Sequence, residues 1–123
     1  MIAIDTSSLR RWSRNENGAD VERIDAAILS GLAALPPIVL SEALSSPAVE
    51  EGFVSFVLSL PLLPVDDGYW KRAGELRRSV LEIGRKAMLA DALIAQVCID
   101  NNAPLITHDA DFRHFVRAGL KLA

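Results

Sequence analysis

Along its 123 residues the chain alternates short apolar runs with longer stretches of helical period. Met1 to Ile4 is an apolar run ending on Asp5, and reads as a buried strand. Thr6-Ser7-Ser8 can cap the helix that follows, and Asn15 to Gly18 breaks it. From Asp20 onward Ile24, Ala27, Ile28, Leu32 and Leu35 recur at helical spacing, and Pro36-Pro37 is expected to stop that helix. Ile38-Val39-Leu40 then reads as a second strand. Ser41-Glu42-Ala43-Leu44 begins a short helix that is interrupted near Pro47.

A further helix carries Val49, Phe53, Phe56, Val57 and Leu60 on one stripe and closes at Pro61. Leu62 to Val65 is a weaker strand, interrupted by Pro64. Asp66 or Asp67 can cap the next helix, with Trp70, Ala73, Leu76 and Val80 on its core face and an end near Gly84. Another helix spans roughly Met88 to Asn101. Pro104 to Thr107 gives a strand, Asp109 to Arg117 a short helix, and Leu120 to Leu122 a possible last strand. Strands alternating with helices predict an α/β fold in three α/β/α layers, with a mainly parallel central sheet. No repeat or linker divides the chain, so residues 1–123 are expected to form one domain.

Composition narrows this picture little. Half the residues are hydrophobic and 24% are charged, which suits a packed core. No long uncharged apolar stretch predicts a membrane span, and no basic, apolar leader precedes MIAID. A single cysteine, Cys98, excludes an internal disulfide and a cysteine-based zinc site; it is expected as a buried core thiol in a cytoplasmic protein. The net charge of −3 argues weakly against a nucleic-acid substrate, because carboxylates compensated by two divalent cations would turn the balance slightly positive.

The acids carry the candidate chemistry. Ligands on a parallel sheet sit at the carboxyl ends of its strands. Asp5, Glu42 and Asp109 all follow expected strands closely, while Asp91 begins an almost wholly apolar helix, Ala90 to Ile99. A carboxylate on such an element is costly unless a metal or an orphan backbone donor compensates it. Magnesium and manganese prefer oxygen ligands, and a pair of such ions supports phosphodiester hydrolysis without His or Cys. Helix capping explains each acid equally well when it is taken singly. Asp66 and Asp67 show the difficulty, since they too follow an expected strand and precede a helix.

Four ordered motifs separate these readings. They are Ile4-Asp5-Thr6-Ser7, Leu40-Ser41-Glu42, Leu89-Ala90-Asp91-Ala92-Leu93-Ile94-Ala95 and Thr107-His108-Asp109-Ala110-Asp111-Phe112. With them the chain resembles a PIN domain over nearly its whole length, and within that superfamily a VapC-type toxin of bacterial toxin–antitoxin pairs. The resemblance implies that Asp5, Glu42, Asp91 and Asp109 are an acidic quartet holding Mg²⁺ or Mn²⁺. Asp5 and Asp91 are then the firmest ligands. Asp111 is either a fifth acid or a helix-start residue, the second being favoured, and Asp66 and Asp67 stay as caps. Thr6 and Thr107 would orient carboxylates or water.

The resemblance also implies cleavage of cellular RNA that arrests growth, a cognate antitoxin protein and a homodimer. Arg10, Arg11 and Arg14 are candidates for an RNA-binding rim beside Asp5, or else a solvated helix face. His108 and His114 lack the spacing of a zinc site and are expected at the surface. Three alternatives remain: a phosphoacceptor signalling domain, a catalytically silent binding module, and a PIN nuclease of RNA processing with no antitoxin. The first would need a paired acid after the first strand, and only Asp5 stands there.

Overall fold

In the computed structural model, which describes residues 1–123, the centre of the fold is a parallel sheet. Strand β1 (Ile2–Ile4) lies between β2 (Ala33–Ala34) and β3 (Leu105–Ile106). Ala3 pairs with Ala34 on one side and with Leu105 on the other. Single parallel bridges widen the sheet, Leu35 to Leu62 beyond β2 and Leu105 to Leu122 beyond β3. The expected strands at Leu62–Val65 and Leu120–Leu122 are reduced to these bridges. Ala3, Ile4, Ala34, Leu105 and Ile106 are all buried, as strands covered on both faces require.

The helices are α1 (Thr6–Ser13), α2 (Ala19–Leu29), α3 (Pro37–Leu44), α4 (Glu51–Ser59), α5 (Tyr69–Glu82) and α6 (Leu89–Asp100), followed by a 3₁₀ helix at Ala110–Ala118. α1 packs on α2, which lies against β2 and β3; α6 packs on α3, α5 and the 3₁₀ helix. The expected α/β/α architecture is present.

Three element assignments change. The helix expected to run from Asp20 through Leu35 stops at Leu29. Gly31 takes φ +68°, and Leu32 N–H donates to the Ala27 carbonyl while Gly31 N–H donates to Ile28. This turn satisfies the last carbonyls and frees Ala33-Ala34 to become β2. The strand expected at Ile38–Leu40 is the middle of α3. Proline needs no N–H donor at a first helical position and arrives with a helical φ, so Pro37 starts a helix here. Finally, Trp70 is 65% exposed, and the buried stripe of α5 is Tyr69, Ala73, Leu76 and Val80. Tyr69 supplies its own reason for facing inward, because its hydroxyl donates to the Leu93 carbonyl at 2.6 Å.

Two polar arrangements fix the helices around this sheet. Buried Asp20 accepts from Ser8 Oγ at 2.7 Å and from Arg11 Nε at 3.0 Å, which ties α2 to α1; Arg11 also reaches Glu16 at 2.9 Å. Burial alone would raise the Asp20 pKa, but the Ser8 and Arg11 hydrogen bonds and the guanidinium charge outweigh it and hold the group below its ordinary value. On the other side Arg72 joins Asp66 at 2.8 Å to Asp100 at 2.7 Å. Asp66 and Asp67 therefore do not cap α5 through their side chains; Gly68 occupies that position.

Because Asp20 is buried and paired, Asp20→Ala should cost about 2–3 kcal/mol in urea unfolding at pH 7. The depressed pKa makes this a contribution present above about pH 4 and lost as the pH falls below 3.8 through the folded value. A loss under about 0.5 kcal/mol would show that the network does not hold α1 against α2.

Candidate metal centre

The carboxyl end of β1 is where the acids gather. Asp5 follows the strand directly, and its N–H still donates to the Ile106 carbonyl at 2.9 Å, so the sheet ladder fixes its backbone. Its side chain is buried, and its Oδ2 accepts from Ser7 Oγ at 2.7 Å and Thr107 Oγ1 at 2.8 Å. No side-chain donor meets Oδ1. Burial raises the Asp5 pKa, the two hydroxyls work against that shift, and the Glu42 charge adds to it.

Glu42 comes from the last turn of α3, not from a strand end. The placement near Asp5 survives because Thr6, the first residue of α1, donates to Glu42 Oε1 at 2.7 Å. Asp109 reaches the same edge after β3. Its N–H donates to Thr107 Oγ1 at 3.0 Å, and its Oδ1 accepts from Asp111 N–H at 2.9 Å as the cap of the 3₁₀ helix. Thr107 thereby links two of the acids. Thr6 and Thr107 each donate a hydroxyl hydrogen bond to one of these carboxylates.

Asp91 lies in the first turn of α6, half-buried and without a hydrogen bond or ion pair. Burial is the largest influence on it, and the charges of Asp109, Asp5, Glu42 and Asp111 push the same way, raising its pKa from 3.8 to about 6. All four of those acids are thus within electrostatic reach of Asp91. The one cation that meets any of the five is Lys86, 3.5 Å from Asp111 in an exposed pair. Asp111 also lends its N–H to Asp109, which suits a helix-start residue at the rim of the group.

Two expectations from the sequence need correction. Arg11 does not belong to a rim beside Asp5, because its guanidinium is held by Asp20 and Glu16. Arg10 and Arg14 remain exposed and unpaired. His108 is exposed as expected, but His114 is partly covered, with Nδ1 2.8 Å from the Lys86 carbonyl oxygen. Cys98 is a buried core thiol, its pKa pushed up to about 12 by burial and by Asp5. Ser7 was missed. It was grouped with Thr6 and Ser8 as a capping residue, yet α1 has no side-chain cap; its hydroxyl binds Asp5 and accepts from His108 N–H at 3.2 Å. A hydroxyl two residues after a buried Asp was the available clue.

The donor set is all oxygen, which fits Mg²⁺ or Mn²⁺. No three of these side chains yet stand close enough to share one ion, as expected of like charges facing one another. The oxygens that lack donors are Asp5 Oδ1, Glu42 Oε2, Asp109 Oδ2 and both of Asp91. Each of the three hydrogen-bonded acids has one oxygen anchored and one available.

The family model for the PIN domain matches residues 2–118. Among solved structures, the chain is similar to VapBC2 from Rickettsia felis, bound to a DNA fragment from its promoter. The identity is 24% and the TM-score 0.72, with 100% of this chain and 98% of that chain covered. It is also similar to VapBC-5 from Mycobacterium tuberculosis, a member of the VapBC family of toxin–antitoxin systems. There the identity is 23% and the TM-score 0.66, with 99% and 98% covered. At such identities these likenesses show the fold. No curated protein matches the chain.

Replacing Asp91 tests the crowding directly. Without divalent ions, Asp91→Asn should raise the melting temperature at pH 7 by about 2–5 °C. The raised pKa means that the penalty on wild type is present above about pH 6 and relieved as the pH falls from 6 toward 3.8. Added Mn²⁺ should stabilise wild type and leave the variant nearly unmoved. A variant that melts lower than wild type and still gains from Mn²⁺ would remove Asp91 from the site.

Proposed function

The chain belongs to the PIN domain family, and from that premise we propose that it is a Mg²⁺- or Mn²⁺-dependent endoribonuclease acting as the toxin of a toxin–antitoxin pair. The observation that carries the metal-dependent part is Asp91, a half-buried carboxylate among four other acids with no cation paired to it. An arrangement that lowers stability in this way is expected where binding a cation repays it. Asp5 and Asp91 hold the metal, and Glu42 and Asp109 complete the catalytic quartet. Bound there, a divalent cation would polarise the phosphodiester and ease deprotonation of the attacking water.

The chain's own residues supply orientation. Ser7 and Thr107 fix one oxygen of Asp5 and leave the other without a side-chain donor. Thr6 does the same for Glu42, whose second oxygen can ligate or take a proton. The Asp111 N–H holds Asp109. Asp111 itself stays at the rim.

RNA as substrate rests on the ordered motifs that resemble VapC-type toxins. The antitoxin partner draws support from the two VapBC structures whose fold this chain shares over nearly its full length. A homodimer and a cytoplasmic location belong to the same reading, and no helix is long and apolar enough to cross a membrane.

Purified protein should cleave RNA with Mg²⁺ or Mn²⁺ and stop when the ion is chelated. Asp5→Asn and Asp91→Asn should each lower kcat by about 100-fold or more. Thr107→Val should weaken metal affinity about 10-fold while cleavage survives at high Mn²⁺. Equal rates in wild type and both Asn variants would remove the site.

A further inference from the structure

Beside the acidic group the surface opens into a pocket of 270 Å³ between α1 and the segment from α3 to α4. Phe53 and Val49 form its accessible apolar part, and Thr6, Arg10, Arg14 and Glu50 its polar part. Thr6 belongs to both places, since its hydroxyl holds Glu42. The pocket therefore shares a wall with the carboxylates. Arg10 and Arg14 are one helical turn apart on the same face of α1, exposed and free of ion pairs, while Arg11 between them is bound to Asp20 and Glu16.

We propose that this pocket binds one unpaired nucleotide of the RNA next to the bond being cut, its base against Phe53 and Val49 and its phosphate at Arg10 and Arg14. The assignment rests on the nuclease reading above. Three features favour a nucleotide over a protein segment. The pocket is small, suited to a single nucleoside rather than to a stretch of helix. Its apolar part contains an aromatic ring, on which any base can stack. Its free cations are two guanidiniums, which bind phosphate through paired N–H donors. Glu50, also in the lining, repels a phosphate and can accept from base N–H groups. An unpaired strand is required, because a base stacked in a duplex cannot enter.

The test measures binding and cleavage separately. In a cleavage-blocked Asp91→Asn background, a labelled single-stranded RNA of about ten nucleotides should bind about 10-fold more weakly when Arg10 and Arg14 are both changed to Gln. The slope of log Kd against log salt should fall by about 1, and duplex RNA should bind poorly to either protein. In the active enzyme, Phe53→Leu keeps an apolar side chain but removes the ring. It should flatten the base preference at one position flanking the cut about 3-fold or more. Unchanged affinity and salt slope in the double arginine variant would overturn the proposal. So would an unaltered base preference in Phe53→Leu combined with loss of binding to a protein partner, which would make the pocket a protein contact. If wild type cleaves no RNA with either metal, the nuclease reading fails, and the binding measurement alone still decides the pocket.

Discussion

Mutual repulsion among carboxylates sets the problem that the rest of this structure solves. Asp5, Glu42, Asp91 and Asp109 come from four distant parts of the chain, and neither lysine nor arginine pairs with any of them. Left to itself, such a group would spread into solvent. Here the backbones are held by the sheet ladder at Asp5 and by the buried apolar helix at Asp91, so the side chains cannot retreat far. Hydroxyls from Thr6, Ser7 and Thr107 then bind one oxygen of a carboxylate without neutralising its charge. A lysine would have relieved the repulsion more fully and would have occupied the place of the cation. Hydroxyl donors orient the acids while leaving the negative field intact.

The same bonds connect the site to the fold. Ser7 and Thr107 bridge the start of α1 to the loop after β3, and Thr6 bridges α1 to α3. The Asp20–Arg11–Ser8 network holds α2 on the same helix, though it contributes no atom to the acidic group. Helix α1 is therefore the part on which site and scaffold both depend. Its first residues touch carboxylates, its middle is tied to Asp20, and its exposed turn carries Arg10 and Arg14. A shift of α1 by a fraction of an ångström would misplace Thr6 and Ser7 together.

How much of this was legible in sequence differs from element to element. The Met1–Ile4 run and the apolar helix around Asp91 were plain, because each is mostly apolar with a buried centre and local pattern suffices. β2 was hidden because Leu32 and Leu35 continue the helical spacing of α2, and only Gly31 marks the turn. α3 was mistaken for a strand because Ile38-Val39-Leu40 is apolar and β-branched in part, and because Pro36-Pro37 reads as a stop as readily as a start. The place given to Glu42 near the site was right for a wrong reason. Sequence put it just past a strand, whereas a helix delivers it and Thr6 fixes it. Trp70 shows the limit of periodicity at its sharpest, since the one-residue difference from Tyr69 turns a side chain by a quarter of the helix.

Capping and metal binding look like competing explanations of these acids, but capping at Asp109 leaves one of its carboxylate oxygens without a donor. Its Oδ1 caps the 3₁₀ helix by accepting the Asp111 N–H, and that bond fixes the direction of its free Oδ2. A carboxylate has two oxygens, and a helix start needs only one of them. The positional rule that sends acids to helix starts therefore supplies ordered ligands. What separates Asp109 from Asp66 is what faces the second oxygen: at Asp66 the side chain meets Arg72, which neutralises it, whereas Asp109 faces other acids. Net charge misleads for a related reason. Arg11, Lys71, Arg72, Arg78 and Lys86 are matched by acids close at hand, while the other bases, Arg10 and Arg14 among them, form no ion pair. A protein that is acidic in sum can thus hold an uncompensated cluster of carboxylates and unpaired arginines within one domain. Affinity for an anionic substrate follows from that local pairing rather than from the total.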